Sequence, residues 1–321
     1  MRSTLGIDIA KNKFDAVLLC DGKYRTHVFD NTPDGHAQLL AWLQKLTPDS
    51  THACLEATGD YGTAVATFLF DNNVAVSVIN PAQIKGFAQS ELSRTKTDKT
   101  DAKIIARFCQ SHRPALWQPP PASVRELQIL VRRLDAVNEM LRMEANRLHT
   151  AHALIAGSIH EHLEQLEHQA SLMRDFIKKH IQDHPDLCEK RDLLETIPGV
   201  GDATIMQILT FLTTQTQPFR HAKQVAAFLG LNPQQHTSGS SVKRKARLSK
   251  TGDSRLRTAL YMPAIVAMRW NPIIRAFSQR LLATGKPKML VVGACMRKLV
   301  HIIFGVLKSG TPFRLDSEKY A

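Results

Sequence analysis

Three consecutive prolines, Pro119-Pro120-Pro121, interrupt the chain a little beyond its first third. Each fixes φ and lacks an amide donor, so neither a helix nor a central strand can run through this point, and the segment reads as stiff and extended. The chain is therefore expected to fold as separate bodies with a boundary near residue 118. With 321 residues, 43% of them apolar, it has enough for a core on each side.

Before the boundary, strand and helix signals alternate. Thr4–Ile9, Lys13–Cys20 and Tyr24–Phe29 are short β-rich runs joined by polar turns, which predicts three antiparallel strands. A helix at about Asp34–Leu46, a strand at His52–Ala57, a helix at about Tyr61–Asp71 and a strand at Val74–Ile79 closed by Asn80-Pro81 follow. This order predicts an α/β domain over residues 1–118 with a mixed, ribonuclease H-like sheet.

Beyond the boundary the pattern turns helical. Ser123-Val-Arg-Glu126 has the form of a capping box and opens a heptad seam through Leu127, Leu130, Leu134, Val137, Leu141 and Leu148. A second box, Ser158-Ile-His-Glu161, precedes Leu163, Leu166, Ala170, Met173 and Ile177 at the same spacing. A coiled-coil arm is expected over residues 119–183, its helices pairing with each other or with those of another protomer. From Leu193 onward the signals predict a helical C-terminal domain, residues 184–321. In it Ile197-Pro-Gly-Val-Gly201 reads as the turn of a helix-hairpin-helix, with Gly199 and Gly201 letting backbone amides approach a phosphate, or as an ordinary helix connection.

Several function classes fall away. The longest apolar runs, Ala259–Met268 and Met289–Met296, fall short of the roughly 18–20 residues that span a bilayer, and the N-terminus lacks the features of a signal peptide, so a cytoplasmic protein without membrane contact is expected. Cys20, Cys54, Cys109, Cys188 and Cys295 are odd in number and widely spaced, which argues against a disulfide framework or a zinc motif and for small buried apolar residues.

The formal charge of +13 is unevenly placed: residues 1–120 hold 13 basic and 12 acidic side chains, and nearly the whole excess lies beyond them. That asymmetry predicts chemistry in the first part and a grip on a polyanion in the second. In the first part, Asp8 lies within an apolar strand, where an unpaired charge is expensive. Glu56 ends a later strand, and Asp98 and Asp101 share one face of a helix expected over Asp98–Cys109. Converging carboxylates make a hard-oxygen site for Mg²⁺, while Asp98 and Asp101 taken alone also suit a helix N-terminus. In the second part, Ser238-Gly-Ser-Ser241 runs into Lys243, Arg244, Lys245, Arg247 and Lys250. Such a segment binds phosphate, either as a solvated basic loop or with a hydroxyl poised to attack.

Taken together in order, Gly6-Ile7-Asp8, Glu56-Ala57-Thr58-Gly59 with Tyr61, Val78-Ile79-Asn80-Pro81, Lys96-Thr97-Asp98 with Asp101-Ala102, Ile197–Gly201, Ala227-Phe228 with Gly230-Leu231 and Pro233, Ser238–Ser241 and Leu260–Ala264 resemble one family along essentially the whole chain. It is the DEDD-type transposases of bacterial insertion sequences, family one-hundred-ten, which includes pilin-gene inverting recombinases. The resemblance implies a RuvC-like domain in which Asp8, Glu56, Asp98 and Asp101 bind Mg²⁺, and a nucleophilic Ser238. It further implies double-stranded DNA as substrate, at the element ends and the target, a bridge RNA as guide, and a homodimer or homotetramer. The rivals are a water-using, Mg²⁺-dependent junction nuclease and a non-catalytic nucleic-acid scaffold.

Overall fold

In the computed structural model, which describes residues 3–46, 51–57, 61–91, 97–212, 219–238 and 242–314, the proline run separates two units, Met1–Pro119 and Pro120–Ala321. The first is built on five strands: β1 (Ser3–Ile9), β2 (Lys13–Cys20), β3 (Lys23–Asp30), β4 (Thr51–Glu56) and β5 (Ala75–Ile79). Their order is β3-β2-β1-β4-β5. β1 to β3 pair antiparallel and β4 and β5 add in parallel, the mixed sheet expected from the sequence. Between them come α1 (Pro33–Leu46), α2 (Tyr61–Asp71), α3 (Pro81–Ser90) and α4 (Asp98–His112).

Alternation along the strands sorts two cores. Leu5, Ile7, Phe14, Ala16, Leu18, Ala53 and Leu55 face α1 and α2, where Leu39, Leu43, Val65 and Leu69 close over them. The other face carries Cys54 and Ile79 against Ile84 of α3 and Ile105, Phe108 and Cys109 of α4. Asn80-Pro81 does more than end β5. The Asn80 side chain accepts from the Ala82 amide at 2.9 Å and Pro81 supplies the first helical residue, so the pair starts α3.

The second unit opens with α5 (Ala122–Leu148) and α6 (Ala153–Asp183), joined by a short turn and laid side by side antiparallel. Leu127, Leu134 and Val137 of the expected seam are buried with Leu166, Ala170 and Ile177 opposite. Two turns beyond Val137, the seam carries Glu144, buried beside Arg147 of α5 and His162 of α6. Neither expected capping box starts its helix. α5 begins directly after the prolines, with no side-chain cap on Pro121. α6 begins at Ala153, where the His152 ring accepts from the Leu154 amide, so Ser158–Glu161 lies inside it. Ala153 to Ala156 are strong enough helix formers to start it earlier.

The chain continues through α7 (Pro185–Glu195), α8 (Asp202–Leu212), α9 (Ala222–Phe228), β6 (Pro233–Ser238), β7 (Val242–Leu248), α10 (Ser254–Ala259), α11 (Tyr261–Trp270), α12 (Pro272–Ala283) and α13 (Lys288–Ser309). One core runs from Val124 of α5 to Val306 of α13. The helical C-terminal region expected from the sequence is present, and within it lies an antiparallel hairpin, β6–β7, that the sequence does not announce. Its strands, PQQHTS and VKRKARL, lack the apolar alternation by which a strand is recognised. α13 is the one described helix long and apolar enough to cross a membrane by length and composition, and half of that stretch is buried in the core. Cys54, Cys109 and Cys295 are buried; Cys20 and Cys188 are only partly so.

Candidate active site

Thr4, Gly6 and Asp8 alternate along the β1 face that α4 covers. The Thr4 hydroxyl donates to the Ala106 carbonyl at 3.2 Å. At Gly6 the helix comes so near that a Cβ would stand 2.1 Å from the Ala102 carbonyl oxygen and 2.4 Å from the Ala106 amide nitrogen. Two residues of strand advance about 6.6 Å and four residues of helix about 6 Å, so the two elements keep step while running in opposite directions. Thr4, Gly6 and Asp8 thus succeed one another as Ala106, Ala102 and Asp98 do, and the contact at Gly6 sets the first turn of α4 beside Asp8.

That turn is capped by Thr97, whose hydroxyl accepts from the Thr100 amide at 3.2 Å and whose carbonyl accepts from the Asp101 amide at 2.9 Å. Capping therefore does not fall to Asp98 or Asp101. Glu56 arrives from the neighbouring strand, one residue past the last parallel pair, Ile7↔Leu55, as Asp8 is on β1. Asp15 lies directly across from Asp8 on β2.

The consequence is electrostatic. Burial, and then the charges of Asp101, Asp98, Glu56 and Asp15 in that order, push the Asp8 carboxyl up from 3.8 to about 6. On the cationic side of this group, Lys13 makes an exposed contact with Asp98 at 3.7 Å. An array of hard oxygens that repel one another is a donor set suited to a divalent cation, which removes the repulsion on binding. Two other sets among the described residues, His52–Cys54–Cys109 and Glu126–His180–His184, bring their ligand atoms within 4.8 Å of one another.

Ser238 is in the second unit. It ends β6, paired with Val242 of β7 across Gly239–Ser241. Those three residues, Thr58-Gly59 and Lys96 lie outside the described residues, as do the side chains of Ser238, Lys243, Arg244 and Lys245. The stem of the hairpin is anchored. A Cβ on Gly293 of α13 would stand 3.1 Å from Leu248, and Arg297 donates to the Asn232 side chain at 2.6 Å. After the hairpin, the Lys250 amide donates to the Gly230 carbonyl at 3.1 Å, and Arg247 and Lys250 are exposed.

In the turn between α7 and α8, Gly199 has φ 98° and its Cα presses on α11, where a Cβ would stand 2.8 Å from that of Ala267. Its missing side chain serves this packing. Among the described residues, none comes within 4 Å of where a Cβ on Gly201 would stand. The sequence reading had not assigned Gly6, Thr97 or Asp15 a role, although a glycine inside an apolar strand is a signal of close backbone approach.

Comparison with known proteins covers both units. A family model described as Transposase matches residues 5–154, and one described as Transposase IS116/IS110/IS902 family matches residues 191–279. The pilin gene-inverting protein of Moraxella bovis is 31% identical over 315 residues, which are 97% of this chain and 98% of that protein. The transposase for insertion sequence element IS1111A of Coxiella burnetii is 24% identical over 298 residues, 83% of this chain and 78% of that one. Among solved structures, T. thermophilus RuvC in complex with a Holliday junction substrate covers 35% of this chain at 17% identity, with a TM-score of 0.28. With a relative aligned from end to end and both halves of a transposase matched in order, the chain belongs to the IS110 family of transposases.

Proposed function

We propose that this transposase cuts and rejoins double-stranded DNA at element ends and target through a covalent bond between Ser238 and a DNA phosphate. Asp8, Glu56, Asp98 and Asp101 hold Mg²⁺, which when bound polarises the phosphate oxygens and neutralises charge developing there. The Ser238 hydroxyl forms a bond to phosphorus as the phosphorus–oxygen bond to the leaving deoxyribose breaks, and its proton passes to the departing hydroxyl. One phosphodiester replaces another, so rejoining needs no external energy source. The first unit supplies the acids and the second supplies the serine.

Lys243, Arg244, Lys245, Arg247 and Lys250 bind backbone phosphate beside the serine, and the amides around Gly199 and Gly201 bind it at the α7–α8 turn, acting as a helix-hairpin-helix. A bridge RNA selects the sequence by base pairing while the protein holds backbone, consistent with few aromatic side chains, 6% of the chain, to stack on bases. The α5–α6 arm serves as a coiled coil that joins protomers into a dimer or tetramer. The work is divided among residues 1–118, 119–183 and 184–321, and it takes place in the cytoplasm, where the DNA is.

The observation that carries this reading is the gathering of Asp101, Asp98 and Glu56 about a part-buried Asp8, whose pKa burial first and then these charges raise to about 6. The sheet order β3-β2-β1-β4-β5, a ribonuclease H-like arrangement, supports it. A recombination assay on a reporter element tests it: Asp8→Asn, Glu56→Gln and Ser238→Ala should each abolish product. Full activity in the two acid variants would favour a scaffold, and strand cleavage retained in Ser238→Ala would favour a nuclease that uses water.

A further inference from the structure

Where α5 begins and α6 ends, Glu126, His180 and His184 bring one ligand atom each to within 4.8 Å of one another. Oε2 of Glu126 lies 3.8 Å from Nδ1 of His180, and the two imidazole rings are 4.3 Å apart at 40°. Each ring is held by a backbone carbonyl: Nε2 of His180 by that of Ser123 at 2.7 Å, and Nδ1 of His184 by that of His180 at 2.7 Å. A carbonyl only accepts, so these nitrogens carry the protons. In the neutral rings Nδ1 of His180 and Nε2 of His184 then present lone pairs. The His180 lone pair faces a carboxylate, leaving two acceptors without a donor between them. Imidazoles steered by carbonyls towards a carboxylate have the outer-shell anchoring of metal-binding histidines.

We propose that Glu126, His180 and His184 form a second metal site, for a transition ion of the Zn²⁺ class. Two imidazole nitrogens and one carboxylate oxygen leave a fourth tetrahedral position for water. Mg²⁺, which prefers octahedral oxygen, is poorly matched, so this site and the acids around Asp8 differ in the ion they take. The ligands come from the start of α5, the last turn of α6 and the residue joining α6 to α7. A bound ion ties the base of the helical hairpin to the helices that follow.

The test uses the full chain without a purification tag, stripped by a chelator and titrated with Co²⁺ as a spectroscopic stand-in and with Zn²⁺ in thermal melts. One Co²⁺ should bind with the visible absorption of a tetrahedral nitrogen and oxygen site, without the thiolate charge-transfer band that His52–Cys54–Cys109 would give. The signal should persist in Asp8→Asn, and Zn²⁺ should raise the melting midpoint. His184→Ala should remove both effects. Glu126→Gln, whose side chain is 60% exposed and so leaves the fold intact, should weaken Co²⁺ binding by roughly tenfold or more. Parent-like Co²⁺ binding in both variants, or a midpoint that Zn²⁺ does not move, would make the cluster a hydrogen-bonded His–Glu pair and overturn the proposal.

Discussion

Gly6 lies against the backbone of Ala102 so closely that a methyl group in its place would stand 2.1 Å from the Ala102 carbonyl oxygen. Two residues on, Asp8 feels the charges of Asp98 and Asp101 from the same helix. The absence of one side chain thus governs where two acids sit.

Gly6→Ala should therefore act at a distance. With backbone rather than a flexible side chain in the way, α4 has to shift, costing roughly 2 kcal/mol or more. Isothermal titration should show weaker divalent-cation binding, although every acid is still present. A variant that binds as the parent does would mean that α4 does not position Asp98 and Asp101.

The raised pKa of Asp8 gives a pH dependence with a definite sign. Because the folded value of about 6 lies above 3.8, the bound proton stabilises the fold; that contribution is complete below about pH 4 and is lost as pH rises through about 6. Without divalent cations, Asp8→Asn should be more stable than the parent at pH 8, of the order of 1–2 kcal/mol after screening, and the difference should vanish near pH 4. Cation binding to the parent should weaken as pH falls through about 6, where protons compete for the carboxylate. Denaturant melts across this range check both.

Arg247, on β7 of the hairpin that carries Ser238, and Lys250, just after it, are exposed. Replacing either by alanine should lower the slope of log affinity against log salt for duplex DNA by about 0.9 and weaken binding to all sequences alike. An unchanged slope would remove that residue from the phosphate grip.

Near the tip of the arm, Leu154 is 89% and Ile155 53% exposed. If the arm joins protomers, Leu154→Glu with Ile155→Glu should reduce the mass found by light scattering while leaving the unfolding free energy within about 1 kcal/mol of the parent. An unchanged mass would place the protomer contact elsewhere.

The first unit was legible because its signals are local. Thr4–Ile9 and Lys13–Cys20 are apolar enough to announce strands, and the proline run announced the boundary. The acids were legible as residue types, but their gathering depends on Gly6 and on the Ile7↔Leu55 register, contacts between residues far apart in the chain. The hairpin before Ser238 was missed because its strands are polar and cationic, so burial leaves no period in them. The capping boxes misled because a short motif states a preference, which the prolines before α5 and the alanine-rich start of α6 outweighed.

The central claim, attack by Ser238 on DNA, is tested most directly by trapping the intermediate. Parent protein, Mg²⁺ and a labelled DNA carrying an element end should give a protein–DNA adduct that survives denaturation, and peptide mapping by mass spectrometry should place a nucleotide on Ser238. Ser238→Ala should give no adduct. Cleaved DNA without an adduct in the parent, or a nucleotide mapped to another residue, would contradict the account.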